Sequence, residues 1–86
     1  MGENILEINK WIQVMAFLYR NKECCLVDIA DEIKITYSYI NKIINTLDQR
    51  RFTQSVKKGR KRVVTLTRKG FHLAKSCNQV IIGEEI

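Results

Sequence analysis

The sequence predicts a small, mainly α-helical domain with one β-hairpin, in the order helix, short strand, helix, helix, hairpin, helix. Three observations carry this prediction. The chain has 86 residues, which suits a single domain over residues 1–86 with one modest core. Apolar residues recur at helical spacing in four segments. Two stretches in which β-branched residues nearly alternate flank one glycine-containing turn.

The first predicted helix, residues 4–20, carries apolar side chains over roughly 200° of its circumference. A helix that faces only its own core usually shows a stripe nearer to about 100°. Trp11, Val14 and Leu18 form the additional arc, and this arc needs a second cover. We expect another copy of the chain to supply it, so that these three residues lie in a homodimer interface. The alternative is that a later helix of the same chain covers them.

Two short helices follow, over residues 27–33 and 37–51. Thr36 is a credible N-cap of the second, because a threonine hydroxyl can accept a hydrogen bond from a free first-turn N–H. The second helix is the clearest in the sequence and buries one face, made of Ile40, Ile43, Ile44 and Leu47. Its opposite face carries mostly short neutral amides and hydroxyls, whereas a merely solvated face would more often carry Glu and Lys. These polar residues are Ser38, Asn41, Lys42, Asn45 and Gln49.

A basic hairpin is predicted over residues 52–67, with Gly59 supplying the left-handed turn conformation. Its tip is strongly cationic, with Lys57, Lys58, Arg60, Lys61 and Arg62. Residues 34–75 have a net charge of +11, whereas residues 1–33 have a net charge of −3. Such an uneven distribution favours a polyanionic partner. The alternative is a solvated basic face with no partner.

The last predicted helix, residues 68–82, begins after Thr67, which can cap it. Leu73, Ala74, Cys77, Val80 and Ile81 share one face. Residues 83–86 are expected to form a frayed end.

The remaining chemistry of the sequence is sparse. Cys24, Cys25 and Cys77 form neither a disulfide framework nor a CxxC pair, and His72 is the single histidine. We therefore expect reduced thiols, no metal and no cofactor, with a redox-sensing role for the cysteines left open. The sequence contains no catalytic triad and no glycine-rich phosphate loop, so we expect no enzymatic activity. The longest apolar run has six residues, too few for a membrane span, so we expect a cytoplasmic protein with no membrane partner.

A family resemblance adds to this interpretation over about residues 24–75. The segment Leu26–Ile40 reads LVDIADEIKITYSYI and looks like the helix-turn-helix core of winged-helix transcription regulators. The segment Leu66–Gly70 reads LTRKG and resembles the LTxKG signature of MarR-like regulators. The resemblance implies that residues 37–51 are the recognition helix, that residues 57–62 are the tip of the wing, and that Ala30 lets the two helices approach closely. It also implies that residues 4–20 and 68–82 match the elements that dimerise in MarR-like proteins. The chain departs from the family pattern at Lys34, where glycine or asparagine is frequent, and at Arg50-Arg51-Phe52, which lacks the usual glycine.

These observations together predict a sequence-specific regulator of transcription that binds double-stranded DNA, acts as a homodimer and represses by occluding a promoter, in association with the nucleoid. Ser38, Asn41, Lys42 and Asn45 are predicted in the major groove, and Thr36, Tyr37, Tyr39 and Gln49 near the DNA backbone. The wing cations are predicted to touch phosphates or the adjacent minor groove. The alternative is a winged-helix module that contacts protein or RNA within a larger assembly.

Overall fold

A computed structural model describes the backbone of residues 2–85 and the side chains of residues 9–80. It confirms the predicted mainly α-helical winged helix and the predicted order of elements. The side chains of Ile5 and Ile8, two of the apolar residues of the first predicted helix, and of Ile81, on the shared face of the last one, lie outside the described residues, as does Ile86. The elements are α1 (Gly2–Arg20), β1 (Glu23–Cys25), α2 (Leu26–Ile33), α3 (Tyr37–Gln49), β2 (Thr53–Lys58), β3 (Lys61–Leu66) and α4 (Arg68–Glu85). Helix α4 thus continues through Gly83–Glu85, where the sequence predicted a frayed end.

The sheet has three antiparallel strands in the order β1-β3-β2, so the short strand β1 extends the hairpin. Cys24 of β1 lies opposite Val64 of β3, and Val56 of β2 lies opposite Val63. Gly59 begins the two-residue turn of the wing with a φ of 63°, the left-handed conformation that glycine adopts at no steric cost. The strand pairing connects the segment before α2 to the wing and so fixes the wing relative to the helices.

The core lies where α1, α2, α3 and α4 meet over the inner face of the sheet. Helices α1 and α4 pack along one another. Val14 and Leu18 are 0% and 1% exposed within a single chain, so neither side chain is free to contact a second copy. Trp11 is partly buried against the same core. Both side chains lie in the core of the same chain, to which α2, α3, the sheet and α4 also contribute.

Two residues without a glycine's freedom adopt the left-handed conformation at helix ends. Lys34 follows α2 with φ 65° and ψ 51°, and Arg51 follows α3 with φ 63°. These are the two places where the sequence departs from the family pattern. The backbone therefore keeps the usual helix-ending geometry, and the side chains of Lys34 and Arg51 bear its steric cost.

Replacing Lys34 by glycine should therefore stabilise the fold by about 1 kcal/mol, because glycine adopts this conformation without a Cβ clash. Urea denaturation followed by circular dichroism would measure the change in the free energy of unfolding. Lys34→Ala removes the same charge but keeps the Cβ, so it should give no comparable gain. Equal effects of the two substitutions would assign the gain to charge and contradict the conformational explanation.

Candidate nucleic-acid interface

Two features fix helix α3 with its polar face toward solvent, namely an N-cap at its start and an apolar face that packs into the core. The Tyr39 N–H donates a hydrogen bond of 3.1 Å to the Thr36 hydroxyl, which confirms Thr36 as the N-cap. The inner residues Ile40, Ile43, Ile44 and Leu47 are at most 2% exposed, so α3 cannot rotate without opening the core.

The outward side of α3 carries most of the side chains predicted to contact DNA. Ser38, Lys42, Asn45 and Gln49 are exposed, as are Thr36 and Tyr37 at the start of the helix. Two residues of the predicted set differ. Tyr39 packs partly against the core, and Asn41 is half-buried on the side of α3 nearest to the wing.

The wing cations fall into two groups that charge counting did not separate. Lys57, Arg60 and Lys61 are exposed, and none of them has a carboxylate partner among the side chains that the structure describes. Lys58 and Arg62 each have one. The three unpaired cations are therefore the ones available to an external anion without breaking an existing contact.

Lys58 is paired across the protein surface with Glu23 of β1. Its Nζ lies 2.9 Å from the Glu23 Oε1, with both side chains more than half exposed. The hydrogen bond to the Glu23 carboxylate raises the pKa of Lys58, so the amine stays charged at any physiological pH. Glu23 was not among the predicted site residues, and this pair ties the edge strand to the wing.

Arg62, which is predicted to touch phosphates or the minor groove with the other wing cations, is already engaged within the chain. Its guanidinium turns inward and bridges the wing to α3, where Nη2 lies 3.0 Å from the Asp48 Oδ2 and Nη1 donates to the Asn41 Oδ1. The side chains of Arg62 and Asp48 are only 24% and 25% exposed. A charged group in this position is held by its partners more firmly than a surface cation would be.

Asp48 joins the end of α3 to the strands of the wing through several hydrogen bonds, a role that was not predicted from the sequence. It accepts hydrogen bonds from the hydroxyls of Thr53 and Ser55 on β2, the latter at 2.6 Å, in addition to the contact with Arg62. Two signals were present in the sequence. Asp48 is the only acidic residue between positions 34 and 75, and hydroxyl residues stand two apart on the strand that follows it. We name Asn41, Asp48, Thr53, Ser55 and Arg62 the junction cluster.

Between α3 and the wing the surface forms an open cleft of about 530 Å³. Its walls combine cations with the exposed apolar surface of one tyrosine and one valine. The lining residues are Tyr37, Asp48, Ser55, Val56, Lys57, Arg60 and Arg62. A second groove of about 460 Å³ lies on the other side of α3, where Trp11 of α1 faces Ser38, Lys42 and Thr46. The polar face of α3 is thus flanked by concave surface on both sides.

The cysteines show no arrangement for metal binding. All three are free thiols, and no group of three or more His, Cys, Asp or Glu side chains converges within the described part of the chain. Burial, followed by the charges of Asp28, Cys25 and Glu23, raises the pKa of the Cys24 thiol to about 11. Burial also raises the pKa of Cys77. Both thiols are therefore protonated at neutral pH, and protonated thiols are poor nucleophiles.

Across residues 2–85, no helix is both long and apolar enough to cross a membrane.

Comparisons with known proteins relate this geometry to solved structures. No protein-family model and no curated protein sequence matches the chain. The structure is similar to that of AF1382 from Archaeoglobus fulgidus, with a TM-score of 0.80 and 21% identity over 90% of this chain and 89% of that one.

Two further structures are similar over a smaller share of their own length. The MarR family transcriptional regulator SPO1453 from Silicibacter pomeroyi gives a TM-score of 0.78 and 26% identity, covering 90% of this chain and 56% of that one. A mutant of MepR from Staphylococcus aureus, solved bound to an oligodeoxyribonucleotide, gives a TM-score of 0.76 and 17% identity, covering 90% and 59%. The chain thus spans less than two thirds of either protein. The predicted resemblance to MarR-like winged helices is confirmed at the level of the fold.

Proposed function

We propose that this protein regulates transcription by binding double-stranded DNA in a sequence-specific manner, as a homodimer and as a repressor that occludes its promoter. One observation carries the proposal. The cleft between α3 and the wing is lined by the unpaired wing cations Lys57 and Arg60, beside the exposed polar face of α3. In winged helices such a helix enters the major groove while the wing lies over phosphates or the minor groove. The similarity to a MarR family transcriptional regulator and to a MepR mutant bound to an oligodeoxyribonucleotide supports this assignment and a role other than catalysis.

Residue roles in the proposal follow from exposure for most of the predicted residues, and from position on α3 for the half-buried Tyr39 and Asn41. Ser38, Lys42 and Asn45 would read base edges, while Asn41 reaches the same groove from the wing side. Thr36, Tyr37, Tyr39 and Gln49 would lie along the DNA backbone. Lys57, Arg60 and Lys61 would contact phosphates directly, and Lys58 would do so after leaving Glu23.

A homodimer is supported by apolar surface on α4 rather than by the buried residues of α1. Leu73 and Val80 lie about two turns apart on the same face of α4 and are 39% and 49% exposed in the single chain. Cys77, which is half-buried, lies between them on this face. A continuous apolar strip on an exposed helix face is typical of a surface that a partner covers. A dimer would present two recognition helices to the DNA, and each would read one half-site.

Selection of duplex DNA from a random pool at near-physiological salt tests the proposal. An inverted repeat with half-sites about 10 base pairs apart, centre to centre, would support both specificity and a two-fold dimer. A salt-sensitive affinity without any enriched sequence would contradict sequence-specific regulation. It would direct attention to RNA or to an acidic protein as the partner.

Two substitutions separate base recognition from phosphate contact on the selected site. Asn45→Ala should weaken binding to that site by about 1–3 kcal/mol and leave binding to random duplex almost unchanged. Arg60→Ala should weaken both and lower the slope of log affinity against log salt by about 1. Lys75→Ala, which removes one charge from the exposed side of α4, is the matched control. If Asn45→Ala weakens both duplexes equally, α3 is not the reading helix.

The pair between Lys58 and Glu23 gives a further prediction, because Glu23 competes with phosphate for the lysine. Glu23→Gln should raise duplex affinity about two- to threefold at low salt, and the gain should disappear at high salt. Glu32→Gln makes the same charge change on the exposed side of α2 and should have a smaller effect. Equal gains for the two variants would assign the effect to net charge and not to the release of Lys58.

A further inference from the structure

The junction cluster places a cation directly behind one of the proposed base-reading residues. We propose that Arg62 is a specificity-determining residue that fixes the amide of Asn41 so that the recognition helix selects guanine. This inference rests on the proposed DNA-binding function. Arg62 would act through Asn41 as a positioning residue, from a strand that is not itself predicted to enter the major groove.

The chemistry of the contact sets the orientation of the amide. A guanidinium has only hydrogen-bond donors, so the atom of Asn41 that faces it must be the oxygen. The amide nitrogen, Nδ2, therefore points away from Arg62. The group that Asn41 presents to the DNA is then a hydrogen-bond donor. Without Arg62, a half-buried asparagine could present either end by rotating its terminal torsion.

The guanidinium is itself held against rotation. Its second branch is 3.0 Å from the Asp48 carboxylate, and that carboxylate accepts hydrogen bonds from Thr53 and Ser55. Arg62 thus contacts α3 at two positions, Asn41 and Asp48, which lie about two helical turns apart. Because both terminal nitrogens of the guanidinium are engaged, Arg62 holds the Asn41 amide in a defined orientation.

The expected base follows from the edges that the major groove presents. Guanine offers two acceptors, N7 and O6, to the amide N–H that Asn41 presents. Adenine places an amino donor beside N7, so its favoured partner is an amide that presents oxygen and nitrogen together. An amide oxygen already engaged by Arg62 does not turn toward that amino group without giving up a charged hydrogen bond. Guanine is therefore the base that Asn41 reads.

Duplex selection with wild type and variants tests this inference. Asn41→Ala identifies the position concerned, because base preference should be lost there and kept elsewhere. At that position we expect wild type to select guanine. Arg62→Met, which keeps the length of the stem but no donor, should shift the ratio of guanine to adenine by about tenfold toward adenine. Arg60→Ala, which removes a wing cation outside the cluster, should weaken binding and leave the ratio unchanged.

A second variant keeps the test valid if Arg62→Met does not fold. Asn41→Asp preserves a partner for Arg62 but has no donor, so it should lose guanine at this position while its melting temperature stays near that of wild type. Selection of adenine by wild type, or an unchanged base ratio in Arg62→Met or Asn41→Asp, would overturn the inference and leave the proposed function standing. Absence of any enriched duplex for wild type would instead overturn the proposed function itself.

Discussion

Gly70→Ala should destabilise the fold by at least about 3 kcal/mol, because the added methyl group would overlap the backbone of a neighbouring segment. A Cβ at this position would lie 1.7 Å from the Phe52 carbonyl oxygen and 2.7 Å from its carbonyl carbon. Both are backbone atoms, so no side chain can rotate to relieve the overlap. The start of α4 would have to move away from the start of the wing. Urea denaturation followed by far-ultraviolet circular dichroism would measure the loss.

The contact that Gly70 permits is part of a small capping arrangement. The Thr67 hydroxyl accepts a hydrogen bond of 3.0 Å from the Gly70 N–H and donates to the Arg51 carbonyl at 2.6 Å. The Thr67 N–H donates to the Phe52 carbonyl at 3.1 Å. The LTRKG segment therefore joins the last strand, the end of α3 and the start of α4, and its glycine is required by close approach to Phe52.

Gly59→Ala is the matched control for Gly70→Ala. Gly59 has a φ of 63°, and no atom lies within 4 Å of a Cβ built there. Its replacement should cost only the strain of a left-handed alanine, about 1 kcal/mol. If Gly70→Ala proves as mild as Gly59→Ala, the close approach of α4 to Phe52 is not maintained in solution.

The parts of the fold that depend on local signals could be predicted from the sequence. These signals determine the structure of residues close to them in the sequence. They include the apolar period of α3, the hydroxyl of Thr36 and the glycine of the wing turn. Their elements accordingly begin and end within two residues of the predicted bounds, except that α4 runs three residues further. The pairing of β1 with β3 depends on residues about forty apart, and the sequence indicated only that β1 is extended.

The predictions that were wrong concern which residues a given side chain contacts in the folded chain. The wide apolar arc of α1 showed correctly that Val14 and Leu18 need cover, but a periodic pattern does not identify what covers them, and both lie in the core of the same chain. The wing cations show the same limitation. Charge counting treats Lys58, Arg60 and Arg62 alike, whereas contacts with Glu23 and Asp48 across long sequence separations distinguish them. Burial and pairing are properties of the assembled fold.

Asp48→Ala should cost about 2–3 kcal/mol of folding free energy, because it leaves three donors of the junction cluster without their acceptor. Thr53 is only 3% exposed, so its hydroxyl would lose its partner in a place that water hardly reaches. Arg62 would keep Asn41 alone, and its partial exposure keeps the cost below that of a fully buried broken pair. Chemical denaturation measures this effect, and Asp31→Ala, an exposed acid on α2, should change stability by less than about 0.5 kcal/mol.

The same substitution should change DNA binding in the opposite sense to stability. Asp48→Ala removes the carboxylate that holds Arg62, so the guanidinium becomes available to phosphate and binding to random duplex should tighten. Selectivity should fall, because an Arg62 that is held by Asn41 alone fixes the orientation of that amide less firmly. A double-mutant cycle with Arg62→Met isolates this path: the combined variant should lose less stability than the two single losses added together. Strict additivity would mean that Asp48 stabilises the fold through Thr53 and Ser55 alone. The contact between Arg62 and Asp48 would then contribute nothing to the free energy of unfolding.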